Sequence, residues 1–408
     1  MATVIVVEDL GAPASVGRGG HAMYVFQWLH GFARLGHRIL FLEFLEKDPG
    51  EAGAAAARYF GEAVSAWWHP EQCALLVEES LESLFGLGAR EVARIAGEAD
   101  AVVTLAARYR RQPYPLIDRV RPRILIEQDP GYTHLWTVGG DPADVYGEHD
   151  LYFTVGGNVG SPRCSVPTLG IRWRPTWNPV VLDWWSPVRP VTRDRFTTVA
   201  DWRSYGYLEF EGQMLGPKAE EFRKFLDLPA LAGEAVEIAL HIDPDDPDLD
   251  LLRGHGWRVE SPDVVATPAR YRDYVAGSVG EFSCVKGGYA GTRCGWFSDR
   301  SACYLAAGRP VVLQATGFAD LLPTGRGLFS VRTAEEAAEA IKAVRRDSAL
   351  HSEAARSVAR EYLDSDRVIG ALLNEAALGG TPGDATSPRG CPSSGRRVDR
   401  LWGRNLPT

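Results

Sequence analysis

The stretch that decides the fold is GWFSDRSACYLAAGRPVVLQATGF, residues 295–318. It contains a helix start, a helix end and a buried strand, in that order. Ser298 is a suitable N-cap because its hydroxyl can accept from an unpaired N–H of the first turn, and Asp299 complements the positive end of the helix dipole. Gly308 ends the helix, and RPVVLQ, residues 309–314, has the apolar run of a short buried strand.

The sequence leaves two explanations open for this helix N-terminus. Beside the carboxyl ends of parallel strands it can bind a phosphate, because several N–H groups converge on one point. Simple capping of the helix accounts for the same residues.

Length and composition indicate a soluble protein with two domains. The chain has 408 residues, of which 45% are hydrophobic and 24% charged, and a net charge of −9. Since one domain typically holds about 100–200 residues, we expect two. A chain with this net negative charge is not expected to have the basic face of a nucleic-acid-binding protein. No basic start precedes an apolar run and no run approaches the roughly 18 residues that span a bilayer, so we expect a cytoplasmic protein without a membrane span.

The cysteines and acidic residues indicate no metal centre. The six cysteines form no C-x-x-C pair and have no zinc-like spacing with the nine histidines, so we expect free thiols. No Asp-x-Asp pair follows a strand. The acidic run DPDDPDLD, residues 243–250, is broken by prolines and is typical of a solvated loop.

Strands and helices alternate along the chain, which predicts parallel sheets covered on both faces. TVIVVED, residues 3–9, has the apolar run of a first strand, and a glycine-rich loop, a helical pattern and the strand RILFLEFLE, residues 38–46, complete a βαβ unit. Further helical patterns cover about 51–66, 71–85 and 89–98.

We therefore expect an α/β fold of two facing, doubly wound, Rossmann-like domains. The first domain is predicted over 1–185 and the second over 186–365. The segment RWRPTWNPVVLDWW, residues 172–185, is predicted to pack as the seam between them. Residues 379–408 lack the apolar content to fold and are predicted to be a disordered tail.

The first glycine-rich loop raises the alternative of a dinucleotide site. Gly17, Gly19 and Ala22 fit G-x-G-x-x-A, and Glu43 lies about where a ribose-binding acid is expected. The fingerprint needs its first glycine directly after the strand, however, and about eight residues separate Glu8 from Gly17. A nicotinamide or flavin enzyme is disfavoured, and no cofactor is expected.

Two blocks resemble nucleotide-sugar-dependent glycosyltransferases of the B-type fold, of the bacterial secondary-metabolism kind. Residues 17–43, GRGGHAMYVFQWLHGFARLGHRILFLE, resemble their first βαβ unit, and the segment from WFSDRSACYLAAGRPVV to AEEAAEAI, residues 296–341, resembles their donor-binding unit. The resemblance implies metal-independent transfer of a sugar from a nucleoside-diphosphate sugar to a small-molecule acceptor hydroxyl. It also implies a helix at 366–378 that crosses back to the first domain.

The chain departs from that family at two donor contacts. Cys303 stands where these families place a ribose-binding glutamate, and Gly295 stands where one branch has a phosphate-binding histidine. We expect Asp299 to replace the contact to hydroxyls. As chemical substitutes for the phosphate contact we expect Ser298, Arg300 and Ser301 with the helix N-terminus. We expect Thr316, Gly317 and Phe318 near the sugar, and Asp320 lies near where the resemblance places a sugar-binding acid.

The diphosphate leaving group requires positive charge, because negative charge accumulates on it as the bond breaks. Lys286, Arg293 and Arg203 lie in predicted loops of the second domain and can supply it without a metal ion. Of these we favour Lys286 and Arg293.

His21 is the candidate general base. It would take the proton from an acceptor hydroxyl, with Asp129 or Asp9 as its orienting carboxylate, and the reaction would then invert the configuration of the sugar. Alternatively, Gly19 and Gly20 cradle the donor phosphates as in the retaining branch, and His21 contacts the donor sugar. The sequence leaves both routes open.

Acceptor contacts are expected from the first domain, in the loops AARYRRQPYP, residues 106–115, and QDPGYTHLW, residues 128–136. Two other functions fit the same fold: a sugar-nucleotide epimerase, and a catalytically degenerate partner that activates another transferase. The donor base, the donor sugar, the acceptor and the oligomeric state are not encoded in any motif.

Overall fold

Two parallel sheets, one in each half of the chain, carry the fold. The structure is a computed structural model that describes residues 1–45, 50–105, 114–186 and 188–378. The tail expected over 379–408 and most of the acceptor loop expected over 106–115 lie outside the described residues.

The first sheet has eight strands, in the order β4-β3-β2-β1-β5-β6-β7-β8, and only the β3–β4 pair is antiparallel. Register is set by pairs such as Thr3↔Arg38 and Val4↔Ala101 on either side of β1. Its elements are β1 Thr3–Val7, α1 Gly19–Arg34, β2 Arg38–Leu45, α2 Gly50–Trp67, β3 Cys73–Val77, β4 Ser83–Gly86, α3 Ala89–Gly97, β5 Ala101–Thr104, β6 Arg123–Glu127, α4 Thr133–Trp136, α5 Pro142–Tyr146, β7 Leu151–Thr154 and β8 Trp173–Pro175.

The second sheet has six parallel strands in the order β13-β12-β9-β14-β15-β16, and β10 and β11 form a separate hairpin. Strand order reverses between β9 and β14, which is where a doubly wound sheet opens a binding crevice. The elements are β9 Arg193–Asp201, β10 Leu208–Phe210, β11 Gln213–Leu215, α6 Lys218–Arg223, α7 Leu228–Ala232, β12 Glu237–His241, α8 Asp248–Gly254, β13 Arg258–Glu260, α9 Pro268–Gly277, β14 Ser278–Ser283, α10 Gly287–Thr292, α11 Asp299–Ala306, β15 Val311–Gln314, β16 Leu328–Val331, α12 Ala334–Arg346, α13 Ser348–Val358 and α14 Ser365–Glu375, with a π-helical turn at Ala359–Leu363.

These sheets confirm the predicted α/β fold of two doubly wound units. The helix predicted over 71–85 is wrong, because that segment forms β3 and β4. All five residues of β3 are buried, and Phe41 of β2 pairs with Cys73. A strand inside a parallel sheet is apolar on both faces, so its short run can be mistaken for a helical pattern.

The C-terminal helix α14 packs on α1 of the first sheet's layer. Ile369 lies so close to Gly31 that a Cβ there would come within 2.3 Å of its Cδ1 atom. Arg34 of α1 bonds Asp366 of α14 at 3.0 Å and Asp183 of the tryptophan-rich segment at 2.6 Å. These contacts link the end of the chain to its first helix.

The tryptophan-rich segment contacts both halves of the molecule. Trp173 packs against His134 and the ring of Trp177 meets Phe297 edge-on, with the latter centroids 6.3 Å apart. Trp184 packs against Trp67. Aromatic packing of this kind stabilises the boundary between the two sheets.

The described cysteines have free thiols, as expected: Cys73, Cys164, Cys284, Cys294 and Cys303. Among the described helices, none has both the length and the apolar character needed to cross a bilayer.

Candidate functional site

A cleft of about 900 Å³ lies where the carboxyl ends of the two sheets face each other. It is of the size that binds small molecules and nucleotides. We call its two sides the first wall, formed by residues before 186, and the second wall, formed by residues after 188. Both glycine-rich α1 and the start of α11 line it.

The start of α11 has the cap that the sequence predicts. Ser298 is buried, and its hydroxyl accepts from the backbone N–H of Arg300 at 3.2 Å. Asp299 lines the cleft and accepts from the Ser298 hydroxyl at 3.3 Å. Other N–H groups of the first turn have no partner inside a helix, so the helix end still offers hydrogen-bond donors.

The side chain of Arg300 anchors α11 to the sheet behind the cleft. Its guanidinium bonds Glu281 at 2.5 Å, the backbone oxygen of Val199 at 2.8 Å and the hydroxyl of Ser283 at 2.6 Å. Burial opposes the charge, but Glu281 outweighs burial and raises the pKa of Arg300 above its usual value. Arg300 therefore contributes positive potential to the second wall and fixes its helix.

Ser301 is completely buried, and its hydroxyl has no hydrogen-bond partner among the described residues. It is absent from the cleft lining, whereas Ser298, Asp299 and Arg300 are part of it. The first turn of α11 thus presents three of its four predicted residues to the cleft.

Lys218, at the start of α6, is a cleft cation that sequence reasoning missed. It is 9% exposed, lines the second wall, and forms no ion pair or hydrogen bond within the described parts of the chain. Burial, together with the positive charges of Arg300 and Lys286, lowers its pKa to about 7. A buried ammonium without a counter-ion is costly, so this position is suited to an anion that arrives from outside.

A second cation, Lys286, is held at the boundary between the walls. Its ammonium lies 3.2 Å from Asp129 of the first wall and 3.3 Å from the ring centre of Tyr205. The rings of Tyr132 and Tyr289 also lie against this ammonium. Burial lowers the pKa of Lys286, and Asp129 acts in the opposite direction.

The predicted catalytic residue Asp129 is engaged by this cation. It accepts hydrogen bonds from Lys286 and from the hydroxyl of Tyr289. Burial would raise its pKa, but Lys286, Tyr289 and Tyr205 together lower it. Asp129 is thus placed as a counter-ion across the cleft, and the orienting position beside His21 is occupied by another carboxylate.

That carboxylate is Asp9, whose Oδ1 lies 3.3 Å from Nε2 of His21, although the geometry is not that of a hydrogen bond. His21 stacks on Tyr24 and lines the first wall. Asp9 lies two residues after β1 and His21 is in the first turn of α1, so the βαβ connection brings them together. Ligand atoms of Glu8, Asp9 and His21 all lie within 4.8 Å of one another. Independence of metal ions stays a prediction.

The adjacent glycines have a different environment from the one expected. A Cβ at Gly19 would lie 2.3 Å from the backbone oxygen of Thr267, and one at Gly20 would lie 3.0 Å from the ring of Tyr271. Both glycines therefore allow α1 to approach the second wall closely. Both glycines also line the cleft, so a phosphate at this pair stays a prediction.

Several predicted donor residues lie away from the cleft lining. Arg203 bonds Asp246 at 2.5 Å and Asp248 at 2.8 Å. Arg293 pairs with Asp320 at 3.6 Å. Each cation is satisfied by carboxylates that the sequence did not reveal as partners.

The loop after β15, which the sequence predicts to contact the donor, also lies outside the cleft lining. The hydroxyl of Thr316 donates to the backbone oxygen of Trp296 at 2.6 Å, and Phe318 packs against Phe297. Gly317 has φ +95° and its oxygen accepts from the side-chain amide of Asn158 at 3.2 Å. These residues form a contact between the two halves of the chain and do not line the cleft.

No protein-family model matches the chain, and none of the curated proteins compared with it matches in sequence. Solved structures do resemble it. Anabaena HepE in complex with UDP and glucose matches with a TM-score of 0.53 and 12% identity, over 92% of this chain and 100% of that one. An alpha-glucosyltransferase in complex with UDP and a 13-mer DNA matches with a TM-score of 0.53 and 11% identity, over 92% and 99%.

A further structure of HepE, in complex with UDP-glucose, matches with a TM-score of 0.51 and 13% identity, over 92% of this chain and 100% of that one. At these identities the likeness shows the fold. This protein has the two-domain B-type fold of glycosyltransferases, which confirms the architecture that the sequence resemblance implied.

Proposed function

We propose that this protein is a glycosyltransferase that moves a sugar from a nucleoside-diphosphate sugar to the hydroxyl of a small acceptor. The observation that carries the proposal is Lys218, a nearly buried ammonium that lines the cleft without a counter-ion. The fold supports it, since the similar structures contain UDP or UDP-glucose.

The donor diphosphate lies between Lys218 and the first turn of α11. Lys218, Lys286 and the N–H groups of that turn then surround the oxygens on which charge accumulates as the leaving group departs. No step of this proposal uses a metal ion or a cofactor. Arg300 stabilises the diphosphate through its positive charge and not through hydrogen bonds, because its guanidinium already donates to Glu281, Val199 and Ser283.

The acceptor lies against the first wall, with His21 as the general base and Asp9 as its orienting carboxylate. Asp9 is 3.3 Å from the imidazole, whereas Asp129 is engaged by Lys286. Because Gly19 and Gly20 pack against Thr267 and Tyr271, the geometry supports the route through His21 more than a phosphate cradle at the glycines. This route inverts the configuration of the transferred sugar.

The first experiment measures binding of UDP, GDP, TDP and ADP by calorimetry to the wild-type chain and to Lys218→Met. Wild type should bind at least one of these, and the substitution should weaken that binding about 10- to 100-fold, because a hydrogen-bonded charge contact is lost. The matched control is Lys224→Met, whose exposed side chain pairs with Glu221 outside the cleft.

Failure of all four nucleotides to bind would contradict the proposal, as would an equal loss in the Lys224 control. Binding at Lys218 without turnover of any nucleotide sugar would favour a degenerate partner protein. Conversion of the sugar nucleotide without an acceptor product would favour an epimerase. The absence of a nucleic-acid partner stays a prediction, since one similar structure contains DNA.

A further inference from the structure

The second wall extends beyond Lys218 to a part of the cleft that the diphosphate does not fill. This part of the cleft extends from the end of β9, across the end of β12, to the turn at Pro262–Val265, which follows β13. These three strands are adjacent, so the turn lies about two strand spacings, roughly 10 Å, from β9. That span is comparable to the length of a nucleoside, so a nucleotide whose phosphates reach Lys218 places its base here.

The floor of this region, which we call the base subsite, is apolar. Val199 and Ala200 of β9, Ala239 of β12 and the buried Val265 line it. An aromatic base can bury its faces against such side chains, and the polar groups at the edge then decide which base fits.

Most polar groups at that edge are already bonded. The Asp201 carboxylate contacts Arg18 and His241. The N–H of Asp263 donates to the hydroxyl of Ser261 at 3.2 Å, and Pro262 has no N–H. Neither of these two backbone positions therefore offers a free N–H to a base.

The side chain of Asp263 differs from these groups. It is exposed, it lines the cleft, and no hydrogen bond or ion pair joins its carboxylate to any described residue. Arg270 donates to the backbone oxygen of Asp263 at 3.1 Å, and not to its carboxylate. An acceptor-only group is thus left at the edge of the base subsite.

We propose that Asp263 reads the base of the donor and selects guanine, so that the donor is a GDP-sugar. Guanine presents two adjacent donors, N1–H and the 2-amino group, which a carboxylate can accept together. Uracil presents one N–H between two carbonyl oxygens, and adenine presents an acceptor nitrogen beside its amino group. In either base, an acceptor atom next to the donor repels the carboxylate. This inference rests on the proposed function, because it assumes a nucleotide in the cleft.

The test measures dissociation constants of GDP, inosine diphosphate and UDP for the wild-type chain by calorimetry. Inosine diphosphate lacks only the 2-amino group of guanine. We expect GDP to bind at least about 10-fold more tightly than either, because one or both hydrogen bonds to a charged acceptor are absent. This comparison requires no substitution.

Asp263→Asn gives a change of opposite sign for two ligands. An amide offers one acceptor and one donor, which match N3–H and O4 of uracil and also N1–H and O6 of guanine, but it cannot accept from N1–H and the 2-amino group together. We expect GDP to bind about 10-fold more weakly because the charged acceptor is lost, UDP a few-fold more tightly, and the difference between GDP and inosine diphosphate to shrink. Asp263→Ala should weaken GDP without tightening UDP, and Asp250→Asn, at a 93% exposed side chain outside the cleft, should change nothing.

Tighter binding of UDP than GDP by wild type overturns the inference and leaves the proposed function standing. An equal loss for all three ligands in Asp263→Asn also overturns it, because a merely structural role would act on each nucleotide alike. Absence of binding by all three overturns both proposals.

Discussion

The two walls of the cleft differ in charge. The first wall presents Glu8 and Asp9 beside His21, and its Asp129 reaches across to the second wall. The second wall presents Lys218, Lys286 and the start of α11. A transfer reaction makes opposite demands on its two ends, because one end accepts a proton and the other stabilises a departing anion. The separation of charge fits this division, and the following changes test it one wall at a time.

The largest effect is expected on the first wall. His21→Ala should lower kcat by about 10²- to 10⁴-fold, the usual contribution of a general base. Nucleotide affinity should stay within a few-fold, because the anion contacts are on the other wall. Steady-state kinetics and calorimetry measure the two quantities.

His69→Ala is the control, since that side chain is 55% exposed and pairs with Glu71. A His21 variant that keeps most of its activity would show that the imidazole has only a packing role against Tyr24.

On the second wall, the cation needed for binding should reduce stability. Burial and neighbouring cations lower the pKa of Lys218 in the folded chain to about 7. Between about pH 7 and the usual pKa of lysine, Lys218 is therefore protonated in the unfolded chain and neutral in the folded chain. The loss of folding stability caused by the buried charge is therefore largest below pH 7, and it decreases as the pH rises. Lys218→Met should therefore raise the free energy of unfolding at pH 6 by up to roughly 5 kcal/mol.

Urea unfolding at pH 6, 8 and 10 measures this difference, which should shrink with rising pH. A destabilised Met variant, or a gain that is independent of pH, would show that Lys218 is satisfied in the free protein.

The junction between the walls depends on the small size of Gly19. In Gly19→Ala, the new Cβ would meet the backbone of Thr267, and the backbone cannot move away as a flexible side chain can. We expect a loss of about 1–3 kcal/mol in the free energy of unfolding, typical of overpacking.

Gly97→Ala provides the contrast, because nothing lies within 4 Å of that position at the end of α3 and the change should be neutral or slightly stabilising. Equal effects of the two substitutions would indicate that α1 does not closely approach the second wall in solution.

The smallest effect concerns the carboxylate that crosses between the walls. Asp129→Asn removes the counter-ion of Lys286 and should tighten nucleotide binding by a few-fold, since the ammonium becomes available to the diphosphate. Calorimetry at low salt measures this, with Asp150→Asn, which removes an exposed carboxylate near Arg121, as control. A large loss of kcat at unchanged affinity would instead assign Asp129 the catalytic role that the sequence suggested.

The site could be predicted from the sequence only in part. The Ser298 cap of α11 was found because capping is decided within four residues, and the hydroxyl does accept from Arg300. His21 and Asp9 could be named together because a single loop connects β1 with α1. Lys218 gave no signal, since a lysine at the start of a short helix is usually solvated and its burial depends on elements distant in the chain.

The sequence by itself determined the local elements of this protein: the buried strands, the caps and the alternation that makes two doubly wound sheets. These follow from side-chain periodicity and from contacts between near neighbours. Only the tertiary structure decided which charges remain available. Arg203 and Arg293 are neutralised by Asp246 and Asp320, whereas Lys218 is buried without a counter-ion. Pairing of charges depends on distances in space, and in this fold those distances are set by the packing of segments far apart in sequence.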